Sequence, residues 1–236
     1  MANWKELENL FTTRLTINRR PVAVTFLDAE PTGIAKFSGT EPAGCSFWRL
    51  AAAGRTFYTV PADHFNCAVG AYTHHVQLPP EREKETGTML GRMFDLGYLR
   101  PEEVPGMARL AEEPAAIVFA PLGDAPLAPS VVLFACGTAS AMLLNEAAIR
   151  AGAASTLPLL GRPSCMALPA AMLHGTVTSL ACIGNRVYTG LGDGELYVAV
   201  PGAKLESVSE ALGIISTANA SLEEFARGRH VSLSTS

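Results

Sequence analysis

Ser130-Val131-Val132-Leu133-Phe134-Ala135-Cys136-Gly137-Thr138-Ala139-Ser140 decides how this chain is read. Ser130 to Cys136 is an apolar run of strand length, and Ser140 to Arg150 is rich in helix formers, so a strand feeds directly into a helix. That succession is the mark of an α/β layer. Upstream, Ala115 to Ala120 is a second strand-like run, set apart by a Pro/Gly loop. Further back, Trp4, Leu7, Phe11 and Leu15 recur at helical spacing, Arg20-Pro21 breaks the pattern, and Val22 to Leu27 follows as a buried strand.

The remaining segments fill in around this frame. Cys45 to Ala53, ending at Gly54, predicts a short helix with a glycine stop, and Arg55 to Val60 a strand. Pro79-Pro80 and the charged stretch Glu81 to Glu85 lead into a helix through Met89, Met93 and Leu96, in a segment expected to be peripheral. Thr176 to Ile183, Val187 to Leu191 and Glu195 to Val200 read as strands, the last two joined as a hairpin through Gly192-Asp193-Gly194. A final helix spans Ala203 to Leu212. The expectation is one α/β domain over residues 1–236, a mixed sheet with flanking helices, and a frayed tail from Ser232 to Ser236.

A chain of 236 residues buries enough surface to fold without disulfides or a metal, so a bound metal would point to function. The balance of 18 Lys plus Arg against 22 Asp plus Glu gives no field for gathering phosphates, which argues against nucleic acid as a partner. No apolar run approaches the roughly 18 residues of a spanning helix, and Lys5, Glu6, Glu8 and Arg14 interrupt the N-terminus, so the expected location is cytoplasmic and off the membrane. With 48% hydrophobic and only 17% charged residues, little polar surface is left to cover a monomer, and a homo-oligomer is expected.

Five cysteines are an odd number in a chain that needs no stapling, and in a reducing compartment they are thiols or ligands. The densest chemistry lies in Asp63-His64-Phe65-Asn66-Cys67-Ala68-Val69-Gly70-Ala71-Tyr72-Thr73-His74-His75. Thiolate and imidazole suit zinc, iron or copper, and a helix over Asn66 to Ala71 would turn His64 and Cys67 the same way and align Cys67 with His74. The plainer reading makes Cys67 a buried filler and sets the histidines on a solvated loop. Arg49, one turn after Cys45, is expected to share its face and lower its pKa. Cys165 and Cys182 each have an arginine within four positions, Arg162 and Arg186. Cys136 alternates onto the face of Val132 and Phe134 and reads as a buried structural thiol.

Several patterns are missing. Cys-x-x-Cys, His-Glu-x-x-His, Gly-x-Ser-x-Gly and a Walker loop do not occur, which removes the common redox, zinc-protease, hydrolase and NTPase signatures. Gly190-x-Gly192-x-Gly194 precedes a strand rather than a helix and is no nucleotide fingerprint. The Cys136-Gly137-Thr138 junction offers a helix start able to hold an anion, although Thr138 or Ser140 as an ordinary cap explains it equally well.

Taken jointly, several of these stretches resemble the prokaryotic domain-of-unknown-function family 169, with members in archaea and anaerobic bacteria. The resemblance runs over most of the chain. It rests on Pro21-Val22-Ala23-Val24, Cys45 with its Ala-rich helix, Cys67-Ala68-Val69-Gly70-Ala71, Pro129 to Leu133 leading to Ala139-Ser140-Ala141-Met142, Cys165, Gly184-Asn185-Arg186, Asp193-Gly194-Glu195-Leu196, and Pro201 to Glu206. It implies no particular reaction. What it implies is a choice among cysteines: Cys45, Cys67, Cys165 and Cys182 fall within family-like motifs, and Cys136 does not.

The expected function is therefore a cofactor-binding, redox or sulfur-handling protein whose four thiolates, Cys45, Cys67, Cys165 and Cys182, hold a [4Fe-4S] cluster or zinc. In that reading His64 supports the centre, while Arg49 or Arg186 and the helix start at Thr138 orient a small anionic ligand. Two alternatives stay open: heme held by His64, His74 or Cys67, and a metal-free module for a small anion in which every cysteine is inert.

Overall fold

The computed structural model describes residues 3–234 other than Pro158, with side chains as far as Arg229. Helix α1 (Trp4–Arg14) is capped by the Asn3 side chain, which accepts the Glu6 N–H at 3.2 Å. It leads into β1 (Val22–Leu27), α2 (Ser46–Ala52) and β2 (Phe57–Thr59). Then come α3 (Ala68–Thr73), α4 (Pro80–Asp95) and β3 (Ala116–Pro121). The deciding segment forms β4 (Val131–Gly137) running straight into α5 (Thr138–Arg150). The rest is α6 (Ala167–His174), β5 (Val177–Ser179), α7 (Ile183–Thr189), β6 (Glu195–Pro201) and α8 (Leu205–Ser234).

The six strands make one open sheet in the order β2-β3-β1-β4-β6-β5. Every pairing between these strands is antiparallel, and the parallel component is confined to isolated bridges such as Lys36 with Tyr58 and Leu160 with Ser179. The order divides by sequence. Strands β1 to β3 form one half and β4 to β6 the other, joined where Val22, Ala23 and Val24 pair with Leu133, Val132 and Val131.

Strand alternation sends side chains to opposite faces. From β4, Val132, Phe134 and Cys136 join α1, α5 and α8 in one core. Val131 and Leu133 join α2 and α6 in the other, which also contains Cys45 and Cys165. That second core is aromatic: Phe57 stacks on Phe119 at 5.6 Å, and Phe37 meets Phe47 edge-on at 5.1 Å.

Two sequence expectations change. The expected strand Val187 to Leu191 is not formed: Ile183–Thr189 is helical, so Gly192-Asp193-Gly194 links α7 to β6 and is not a hairpin turn. The apolar residues Ile183 and Val187 lie one helical turn apart in solvent, 68% and 72% exposed, so their spacing does not report burial in a sheet. Gly190, in the left-handed region at φ 64°, ends this helix. The C-terminal helix also runs well past Leu212, to Ser234. It takes in Ser232 to Ser234 of the expected frayed tail, and Thr235 and Ser236 lie outside the described residues.

Candidate functional site: a four-thiol cluster

Four of the five cysteines stand at helix starts on the same face of the sheet. Cys45 directly precedes α2, Cys67 caps α3, Cys165 lies in the short 3-10 turn Ser164–Met166 that opens into α6, and Cys182 directly precedes α7. The folding that gathers them is local and identifiable. Helix α2 packs on α7, and α3 packs on the Ser164–Met166 turn. Ser164 Oγ accepts the Cys182 N–H at 2.6 Å, tying the third cysteine segment to the fourth.

The thiols sense one another. Burial pushes the pKa of Cys165 well up, the neighbouring Cys67 raises it further, and Cys182 and Cys45 add to the rise against a hydrogen bond from Thr73. Cys45 is pushed up to about 12, by burial first and then by Cys67 and Cys182, with Asn185 opposing. Both remain protonated at neutral pH. This overturns the expectation that Arg49 activates Cys45: that guanidinium is half-exposed and pairs with Glu41 at 3.6 Å.

Polar groups around the cluster favour the ionised sulfur. The Gly70 N–H donates to Cys67 Sγ at 3.3 Å. Glycine is needed there, since a Cβ on Gly70 would stand 3.0 Å from that sulfur and 4.0 Å from the Gly44 Cα. Asn185 is buried and turned toward the Cys45 thiol and the Tyr197 hydroxyl, yet its Nδ2 completes no hydrogen bond of normal length. Ser46 Oγ and Trp48 Nε1, on the α2 turn beside Cys45, are likewise buried without partners. An unpartnered buried donor costs about 1–3 kcal/mol, which sets these groups apart from the apolar core around them.

His64 and His74 are both buried, not on a solvated loop. His64 ends the 3-10 turn Pro61–His64, and α3 begins only after Cys67, so the expected helix over Asn66 to Ala71 is displaced toward the C-terminus. Thr59 Oγ1 lies 2.9 Å from His64 Nε2 and 3.3 Å from the Ile117 carbonyl oxygen. His64 Nδ1 has no hydrogen-bond partner and lies 3.5 Å from where a Cβ on Gly44 would sit. The His74 ring, unpartnered at both nitrogens, meets His64 edge-on at 5.8 Å and Phe26 at 5.5 Å. Burial depresses both pKa values, to about 3 for His64 and about 4 for His74.

The remaining candidates lie elsewhere. Arg186 gives its guanidinium to the carbonyls of Leu180, Gly192 and Glu195, pinning the turn after α7. Thr138 is exposed at the start of α5, whose buried face belongs to the opposite core. Cys136 is buried there too, as its alternation with Val132 and Phe134 requires. Asn185, Thr73 and Ser164 escaped sequence reasoning. Each carried a signal: Asn185 sits three residues after Cys182 inside Gly184-Asn185-Arg186, Thr73 lies within the Asp63-to-His75 stretch, and Ser164 adjoins Cys165.

A single tetrahedral ion draws its sulfurs tightly together, at Zn–S distances near 2.3 Å. Among the described residues no group of three or more His, Cys, Asp or Glu side chains is set so as to hold a metal ion.

In comparison with known proteins, an uncharacterised protein of Methanocaldococcus jannaschii is 27% identical over 177 residues, covering 71% of this chain and 75% of the relative. No solved structure matches. The model of domain-of-unknown-function family 169, described as "Uncharacterised ArCR", matches residues 11–211, a span that contains all four clustered cysteines, and the chain belongs to that family.

Proposed function

We propose that Cys45, Cys67, Cys165 and Cys182 bind an iron–sulfur cluster and that the protein acts in electron transfer or sulfur handling. The observation that carries this reading is the buried Cys165 thiol, whose ionisation is opposed by the other three. Ionising Cys45 or Cys165 in the metal-free chain is opposed by burial and by the neighbouring cysteines, whereas metal binding would exchange thiol protons for metal–sulfur bonds. Bound in this way, a cluster supplies one-electron chemistry.

The chain's own residues have separable tasks. The Gly70 N–H and the Asn185 and Thr73 side chains hold negative charge on the sulfurs, which tunes the affinity and potential of whatever they ligate. His64 presents its unpartnered Nδ1 toward the Gly44 side of the site as a supporting group. All five cysteines are free, which suits a reducing, cytoplasmic setting. Among the described residues no helix is long and apolar enough to cross a membrane. We also propose a homo-oligomer, supported by the exposed Ile183 and Val187 of α7 and Leu173 of α6.

The test is anaerobic purification followed by iron and acid-labile sulfide analysis and a visible spectrum. Iron and sulfide are expected together with a broad brown absorbance. Cys67→Ala should lose both while the fold survives, and Cys136→Ser should keep both. Colourless, metal-free protein after reconstitution overturns the proposal, as does full occupancy in Cys67→Ala.

A further inference from the structure

A cavity lies beside α3, with Ala68 and Val69 of that helix in its wall. It has a volume of about 370 Å³ and is bounded by α3, α4 and the segment from Leu99 to Arg109. Val69 and Tyr72 wall it from α3, Leu90 from α4, and Leu99 and Met107 from the segment beyond. These are the apolar walls of a small-molecule site, and the volume falls in the range such sites occupy.

One charged group breaks the apolar lining from within. Arg109 stacks on the Tyr72 ring at 4.6 Å, and its Nε is buried without a hydrogen-bond partner. Among the described residues Arg109 forms no ion pair. The contact holds the guanidinium against the Tyr72 ring and leaves its buried Nε–H without an acceptor, a donor suited to a carboxylate. Glu83, the one acid in the lining, is exposed on α4 and stands at the rim.

We propose that this cavity binds a medium-chain monocarboxylate, with the carboxylate on Arg109 and the apolar body against Val69, Leu90 and Leu99. At about 30 Å³ for each water-sized unit, the space holds roughly twelve heavy atoms. Decanoate has that number and is the probe of choice. Its wall α4 contributes no buried residue to the core, so the helix can lift to admit a ligand without breaking the hydrophobic interior. The site goes beyond the thiol reading and stands apart from it.

Isothermal titration of the full chain with decanoate and with decylammonium, which carries the same body under the opposite charge, tests the assignment. Decanoate is expected to bind one per chain and at least tenfold more tightly than decylammonium. Arg109→Gln should remove that preference, and Leu90→Trp, which fills the cavity from a helix outside the core, should abolish binding with an unchanged thermal melt. The same affinity is expected with and without iron, so an absence of cluster leaves this test intact. Equal binding of the two probes, no binding of decanoate, or undiminished decanoate affinity in Arg109→Gln overturns the proposal.

Discussion

A neutral imidazole sealed in a core is a pH-dependent component of stability. His64 and His74 have pKa values depressed to about 3 and about 4 from an ordinary 6.5, so the unfolded chain binds protons that the folded chain refuses. Their contribution is therefore complete above about pH 6.5 and is lost as pH falls toward 4 and then 3. Each pKa unit corresponds to about 1.4 kcal/mol, so the pair destabilises the acid form by several kcal/mol. Urea unfolding of metal-free protein should show stability falling steeply from about pH 6.5 to about 4.5, and His64→Gln should flatten that slope. A slope unchanged in the variant would show that carboxylates set it instead. At the same scale, Gly202 is required in Pro201-Gly202-Ala203, because a Cβ there would stand 1.7 Å from the Pro129 carbonyl oxygen. Gly202→Ala is expected to cost about 1–3 kcal/mol or more in denaturant unfolding, since backbone must move to admit the methyl. Cys136 was legible at this scale because strand alternation fixes which face a side chain takes. Asn185 was marked only by its closeness to Cys182, and that did not show that it faces Cys45, far away in sequence.

Elements differ in how firmly they are held. Helix α4 is the least anchored: none of its residues is buried, and Gly87 and Gly91 interrupt its run of helix formers with open space around each. Its amides are therefore expected to exchange hydrogen far sooner than those of β4 or α5, and Gly87→Ala should slow them, corresponding to about 0.5–1 kcal/mol of local stabilisation. Exchange in α4 as slow as in the central strands would refute this. The sequence marked the segment as peripheral from its charges and prolines. It misled over Val187 to Leu191, read as a strand, because the apolar residues of α7 lie on an exposed helix face and periodicity shows amphipathicity only where the apolar side is buried. The short helices α2 and α3 were partly visible through their glycines and alanines, and α7 was not. Their convergence was not, since it is produced by packing between segments far apart in the chain.

At the scale of the whole molecule, several large apolar side chains are exposed, among them Leu173 on α6 and Ile183 and Val187 on α7. Light scattering is expected to give a mass above the 24.9 kDa of one chain that falls on dilution, and Val187→Glu should shift it to the monomer. A concentration-independent monomer in the parent protein would refute the association.

The two-part order of the sheet bears on how the protein is made. Cys45 and Cys67 belong to the half built from β1 to β3, and Cys165 and Cys182 to the half built from β4 to β6. A nascent chain that has emerged only through α5 has its first four strands in hand but just two of the four thiols proposed as ligands. The seam between the halves is a three-residue pairing, Val22 to Val24 against Val131 to Leu133. If the four sulfurs hold the proposed centre, it can be handed over only after synthesis has passed Cys182, and it would then clasp early chain to late chain across the seam, so that its assembly would double as a check that translation has run on past that point.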